Sequence, residues 1–160
     1  MNLQDRKYIS LAIDQARKSV QNGGFPAGAV IVKDGKVISE GISVGDNLHD
    51  PTAHAETAAI REACRKLKTT NLEGATMYES LECCTMCFSV AYWSGISRIV
   101  YASKKTPEMV SKGYYEGSSD NETLNRKNNR KIELVFSQES EDDSLAVVRE
   151  WEEQGGFNKK

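Results

Sequence analysis

The sequence predicts an α/β protein, one three-layer α/β/α domain on a five-stranded mixed sheet that takes in residues 1–160. Three observations carry that prediction. At 160 residues the chain is long enough for one real core and short for two. After an opening helix and a hairpin, segments of strand and helix pattern alternate along it, which packs helices on both faces of a sheet. The connection between the last two strands exceeds a dozen residues, so those two can run parallel. No internal repeat or low-complexity linker divides the chain.

Ile9, Ile13, Ala16 and Val20 recur at helical spacing, so residues about 3–21 read as a helix, closed by Asn22-Gly23-Gly24. Ala27 to Lys33 is a short run rich in valine and isoleucine, and Lys36 to Ile42 is its partner strand. Asp34-Gly35 joins them, because glycine tolerates the positive φ of a tight reverse turn. Ser43 to Pro51 is a polar loop. A second helix is expected from near Thr52, with Glu56 in its first turn. Ala55, Ala59, Ile60, Ala63, Cys64 and Leu67 form its apolar stripe. Asn71 and Gly74 precede a third strand, Ala75 to Leu81. Cys84 to Trp93 reads as a short helix with Trp93 on its buried side, closed by Ser94-Gly95. Ile96 to Ala102 is a fourth strand. Weak helical signals at Pro107 to Ser111 and Asn121 to Asn128 fall in an irregular stretch. Ile132, Leu134 and Phe136 alternate as a fifth strand, and Leu145, Val148 and Trp151 share one face of a final helix.

Apolar residues make up 39% and charged residues 28%, the balance of a globular rather than a disordered chain. No apolar run approaches bilayer length. Met1 to Val20 mixes Asp5, Arg6, Lys7, Asp14, Arg17 and Lys18 with its apolar residues, an amphipathic helix rather than a secretory signal. A cytoplasmic location with no membrane partner is therefore expected. The net charge of −2 argues against nucleic acid as a partner, since phosphate contacts need a cationic surface. The one basic cluster, Arg126, Lys127, Arg130 and Lys131, reads as a solvated loop.

Of four cysteines, at 64, 83, 84 and 87, three fall within five consecutive positions. In a reducing compartment such clustering points to metal or redox work. His54-Ala55-Glu56 opens one helix and Cys84-Thr85-Met86-Cys87 opens another. Cysteines three apart on a first turn face the same way, so both sulfurs can reach one ion. The helix N-terminus also favours the thiolate. One imidazole and two thiolates leave the fourth tetrahedral position open, which is the catalytic zinc arrangement. Glu56 then has a purpose: a carboxylate near the metal, but not bound to it, can take a proton from water and return it to a leaving group. Ideal helix geometry does not put residues 54 and 56 on one face. His54 is therefore assigned to the helix entry, ahead of the regular dihedrals.

These residues resemble the zinc-dependent cytidine and deoxycytidylate deaminase superfamily, whose signature is His-x-Glu followed by Pro-Cys-x-x-Cys. The matching stretches are Asp50-Pro51-Thr52-Ala53-His54-Ala55-Glu56 and Ser80-Leu81-Glu82-Cys83-Cys84-Thr85-Met86-Cys87. Pro26-Ala27-Gly28-Ala29-Val30 resembles the segment that lines the family's pocket. The resemblance covers roughly residues 5–137. It is closest to the branch holding guanine deaminase, fungal cytosine deaminase and bacterial tRNA adenosine deaminase. It implies a cytidine deaminase-like fold and one Zn2+ per chain, held by His54, Cys84 and Cys87. It also implies zinc hydroxide attacking the amine-bearing carbon of a base while Glu56 shuttles protons until ammonia leaves. The backbone of Ala55 and the side chain of Glu56 would contact the base, and the family habit is a homodimer.

The sequence departs from that pattern at several positions. Cys83 stands where the family has proline, which stiffens the strand-to-helix turn. It reads as a small buried hydrophobe, with a thiol beside the site or an alternative ligand as the other readings. Ser43 stands where the near branch has asparagine, and Asn47, four positions along, could supply the missing amide. Ala27 replaces a larger apolar residue, and Phe25 could fill that space and stack on a base, or pack in the core. Trp151 and Gln154, or Glu150 and Glu153, could close the pocket from the final helix. Tyr114 and Glu116 lie in a segment that borders the pocket in relatives, although loop carboxylates are mostly solvated. His49 is a loop residue near the same place, and Cys64 belongs to the core. The expected function is hydrolytic deamination of a free nucleobase or related aminated heterocycle, guanine first and cytosine second. The alternatives are a tRNA adenosine deaminase, against which Ser43 and the net charge argue, and a non-catalytic zinc-binding module, which has no use for Glu56.

Overall fold

The spacing of Ile9, Ile13 and Ala16 becomes helix α1 (Leu3–Gln21) in the computed structural model, which describes residues 1–159. Asn2 starts it by accepting the Asp5 amide on its side chain, and Asn22 with Gly23 at φ 79° ends it. Strands β1 (Gly28–Lys33) and β2 (Lys36–Ile42) form the expected hairpin. Its turn residues Asp34 and Gly35 have φ of 51° and 71°, the pair of positive values that matches the twist of two strands. The rest of the chain alternates as expected: α3 (Ala55–Leu67), β3 (Thr76–Glu79), α4 (Thr85–Trp93), β4 (Arg98–Tyr101), α5 (Pro107–Ser111), α6 (Asn121–Lys127), β5 (Glu133–Phe136) and α7 (Glu141–Glu153). Three short elements were not expected: the single turn α2 (Gly45–Leu48) inside the polar loop, and 3-10 turns at Gln138–Ser140 and Gly156–Lys159.

The sheet order is β2-β1-β3-β4-β5. β1 runs antiparallel to both β2 and β3, while β3, β4 and β5 are mutually parallel. Successive residues of β1 feed different layers. Ala29 and Ile31 join Met77, Ile99, Ala59, Ala63, Phe88 and Ala91 beneath α3 and α4. Val30 and Val32 join Tyr78, Val100, Ile9, Ile13 and Val147 beneath α1 and α7. Both faces of the sheet are covered, so β1 reads as a continuous apolar run rather than an alternating one. Gly41 brings the α3 layer close, since a Cβ there would lie 2.0 Å from the Ala55 carbonyl oxygen. The first turn of α3 thus rests directly on β2.

Three expectations are corrected here. The second helix begins at Ala55 rather than near Thr52, because Asp50 takes the Thr52 amide and hydroxyl on its own carboxylate and folds 50–52 into a turn. Trp93 is 81% exposed rather than core. It lies two positions past the buried Ala91, about 200° around α4, so it points away from the sheet. The basic cluster is partly structural. Arg130 donates to the carbonyls of Tyr92 and Ile96 at 2.5 and 2.6 Å and stacks on the Tyr92 ring, closing the end of α4. Lys131 donates to the carbonyls of Arg126 and Asn128 at the end of α6. No helix among the described residues is long and apolar enough to cross a membrane.

One buried ion pair ties the layers together. Asp5, 2% exposed, accepts both guanidinium nitrogens of Arg98 at 2.7 and 2.8 Å and the Tyr78 hydroxyl at 2.7 Å. Arg98 holds the Asp5 carboxyl below the usual carboxylate range. Asp5→Ala removes the acceptor of two guanidinium nitrogens and of the Tyr78 hydroxyl, leaves Arg98 only its pair with Glu133 at 3.3 Å, and is expected to cost about 2 kcal/mol of stability near neutral pH. An acid with a lowered folded value stabilises above its unfolded value and loses that contribution as pH falls through the folded one. Thermal melts of variant and native protein are thus expected to differ widely at pH 7 and converge in strong acid. Equal melting at pH 7 refutes the role of the pair.

Candidate active site

His54 and Cys84 occupy matching backbone positions. Each is the extended residue that starts a helix, with φ and ψ of −69° and 163° for His54 and −69° and 170° for Cys84. Cys87 follows in the first turn of α4. This brings His54 Nδ1 to 3.5 Å from Cys84 Sγ and 3.6 Å from Cys87 Sγ. A tetrahedral zinc with ordinary bond lengths of about 2.3 Å to sulfur and 2.0–2.1 Å to nitrogen separates such donors by roughly 3.6 Å. The donor set and its spacing therefore fit zinc. His54, Cys84 and Cys87 are also the one group among the described residues with three donor atoms close enough to share a metal, all within 4.8 Å. Cys83 is outside that group. Its sulfur lies 3.7 Å from the Asn121 amide, and burial pushes its thiol well up, which suits a small buried thiol and not a ligand.

The electrostatics follow from burial and sharing. Hydrogen bonding with Cys87, and then with His54, brings the Cys84 thiol down to about 5, whereas Cys87 is pushed far above the thiol range. Contact with the Cys84 sulfur holds His54 above its ordinary value. The Thr57 hydroxyl lies 3.2 Å from Cys87 Sγ. Glu56, 4% exposed, has its carboxyl raised from 4.5 to about 7 by burial.

The turn that presents the cysteines is held peptide by peptide. Glu82 N–H donates to the Ser103 carbonyl, and the Glu82 carbonyl accepts the Tyr115 hydroxyl at 2.5 Å. Cys83 N–H donates to Glu79 Oε1 and its carbonyl accepts the Asn121 amide, each at 2.9 Å. Thr85 N–H donates to Glu116 Oε1 at 2.8 Å. Glu116 thus caps the start of α4, and the irregular stretch from 103 to 121 is a buttress for the turn. Fixing ligand-bearing backbone in this way lowers the reorganisation needed at a reactive site.

A cavity of about 810 Å3 opens beside these residues. His54, Ala55, Glu56 and Cys84 line it, and so do Phe25, Ala27, Ser43, His49, Tyr114, Glu116, Trp151 and Gln154. Cys87 lies behind the wall, fully buried. Asn47 is exposed and outside the lining, and its neighbour Asp46 faces the cavity instead, because the turn of α2 rotates residue 47 outward. Glu150 and Glu153 are likewise exposed and outside it. Sequence reasoning missed Asp46, Thr57, Tyr115, Asn121 and Phe157. It also passed over Glu79, whose signal was visible as a carboxylate inside an apolar strand.

The rings of Phe25, Tyr114, Trp151 and Phe157 form the cavity's roof, every pair in contact with centroids 4.9–5.9 Å apart. The Tyr114 hydroxyl donates to Glu152 at 2.5 Å and so ties the 112–114 loop to α7. Carboxylates in the lining are Asp46, Asp50, Glu56, Glu82 and Glu116, with no lysine or arginine among the described lining residues.

Residues 2–103 match the family model of the cytidine and deoxycytidylate deaminase zinc-binding region. A tRNA-specific adenosine deaminase of Aquifex aeolicus is 41% identical over 106 residues, spanning 65% of this chain and 70% of that protein. The guanine deaminase of Bacillus subtilis is 42% identical over 100 residues, 62% of this chain and 64% of that protein. The chain thus spans about two thirds of the length of these relatives. A structure from a study of A-to-I editing by tRNA:A34 deaminases superposes with a TM-score of 0.77 at 29% identity, over 89% of this chain and 99% of that one. The family match takes in more than half the chain, with His54, Glu56, Cys84 and Cys87 inside it. The chain belongs to the zinc-binding cytidine and deoxycytidylate deaminase family of hydrolytic enzymes.

Proposed function

We propose that the protein hydrolyses the exocyclic amine of a small, unphosphorylated aromatic heterocycle, guanine first and cytosine second, with release of ammonia. The observation that carries this reading is the cavity's construction. Residues Trp151, Gln154, Gly156 and Phe157 near the end of the chain close over it, and its described lining residues include carboxylates and no lysine or arginine. Such a cavity suits a flat neutral base and opposes a phosphate.

A zinc ion on His54, Cys84 and Cys87 would supply a Lewis acid that activates water at neutral pH. Glu56 would take up a proton from the attacking water and return it to the departing amine. Ala55 N–H, at the first turn of α3, would donate to the base, and Ser43, Asp46, His49 and Asp50 are the polar residues of the 43–50 loop that line the cavity. The roof rings exclude water and give the base a stacking surface. Exposed Trp93, with Met86 and Val90 on the same helix, supports a homodimer through α4.

A second reading has its own support. The Aquifex relative and the superposed structure are named for action on transfer RNA, so the expectation of no nucleic-acid partner loses its ground, and tRNA adenosine deamination stands as the alternative. Ammonia release separates the two when scored on bases, nucleosides, 5′-monophosphates and an anticodon stem-loop. The expected result is turnover of a free base, with monophosphates poorer by about tenfold or more. Deamination of the stem-loop without any free base reverses the order. Zinc bound without deamination of any of them leaves only a binding module. Native mass measured on the same sample is expected to give a dimer with one zinc per chain.

A further inference from the structure

Glu79 is a buried carboxyl that the deamination chemistry does not use. It sits at the end of β3 with no exposed surface. Its Oε1 accepts the Cys83 amide at 2.9 Å, and its Oε2 has no hydrogen-bond partner. Burying such a group is costly unless its hydrogen bonds compensate it. The partner is informative. Cys83 stands where the family signature has proline, and the N–H that Glu79 accepts is the one a proline would lack.

We propose that Glu79 and Cys83 work as a pair that replaces the missing proline, the Glu79 carboxyl fixing through the Cys83 amide the turn that presents Cys84 and Cys87 to the metal. A proline at 83 would lock its own φ and leave no donor to satisfy. A cysteine there frees φ and adds a buried N–H that must find an acceptor. Glu79 answers both needs. Asn121 holds the Cys83 carbonyl from the opposite side, so both polar groups of residue 83 are held by side chains. Glu79 is thus a positioning residue.

The pairing has a signature that packing alone does not. Glu79→Leu leaves the Cys83 N–H buried without an acceptor. Cys83→Pro leaves Glu79 Oε1 without its donor. The double variant removes both orphans, and Glu79→Gln keeps the acceptor. The inference rests on the metal site proposed above, so the probe is the metal alone. Cobalt(II) is titrated into each metal-free variant, with its thiolate charge-transfer and d–d bands recorded and chelator competition giving the affinity. Native protein and Glu79→Gln are expected to agree within about threefold. Each of Glu79→Leu and Cys83→Pro is expected to bind about 10–100-fold more weakly with altered bands, the range for residues that orient ligands. The double variant is expected to recover most of that loss. Native affinity in both single variants, a double variant as weak as the two losses combined, or a Glu79→Gln as weak as Glu79→Leu overturns the pairing. Should Glu79→Leu fail to fold, Glu79→Gln and the double variant still decide. Native protein that takes up no cobalt overturns the metal site itself, a separate outcome.

Discussion

Replacing Glu56 by glutamine is expected to lower kcat by about 10²- to 10⁴-fold while one zinc ion stays bound, the range of general acid–base catalysis by one positioned group. Glutamine keeps the shape and accepts a hydrogen bond, yet it cannot take up and return a proton. The same substitution is expected to stabilise the metal-free protein. Burial raises the Glu56 carboxyl from 4.5 to about 7, so the fold disfavours its ionised form. That penalty is absent below the unfolded value, grows as pH rises from there to the folded one, and levels off at roughly 3 kcal/mol. Metal-free Glu56→Gln is therefore expected to melt above metal-free native protein at pH 8 and together with it near pH 4. Ammonia release, zinc content and the paired melts check the three parts. Loss of zinc together with activity makes Glu56 a structural residue and refutes the proton role.

The features legible in the sequence are those whose causes are local. Apolar spacing gives α1, Asp34-Gly35 gives the hairpin, and two short motifs at helix starts bring His54, Cys84 and Cys87 together. From the sequence the place of His54 at the helix entry is an assumption, made because residues two apart on a regular helix lie about 200° around it, and the extended backbone of His54 bears it out. The features not legible depend on distant partners. Asp5 is one charge among several until Arg98, 93 positions away, closes on it. Trp93 shares its row of α4 with Thr85 and Ser89, a polar signal that the size of the indole outweighs until the packing of Phe88 and Ala91 shows which face turns outward. The choice of Asp46 over Asn47 hangs on the single turn of α2. Phe157 follows two glycines with no periodicity, and its place in the roof exists only once Phe25, Tyr114 and Trp151 have arrived from three other segments.

Cys87→Ala is expected to release the zinc and to erase the response of the melting temperature to a chelator. Cys87 is fully buried behind the cavity wall, and its sulfur is one of three donors that leave a single open position. Without it two donors remain, and no other histidine, cysteine or carboxylate among the described residues completes a group of three. The loss of affinity is expected to exceed the roughly 10–100-fold that a residue orienting a ligand costs. Thr57→Val, which removes the hydroxyl 3.2 Å from that sulfur, supplies the smaller step for comparison. A metal that binds only the folded state stabilises it by about 4 kcal/mol at a thousandfold excess over its dissociation constant. Native protein is therefore expected to melt lower in the presence of a chelator, while Cys87→Ala melts at one temperature with or without it. The variant is also expected to match chelated native protein closely, since replacing the thiol by a hydrogen removes only one buried heavy atom. One zinc per chain retained by Cys87→Ala, with chelator sensitivity intact, would transfer the ligand role to Cys83. Ligation there would require its buried thiol to ionise against the burial that now keeps it protonated, and its sulfur to turn away from Asn121.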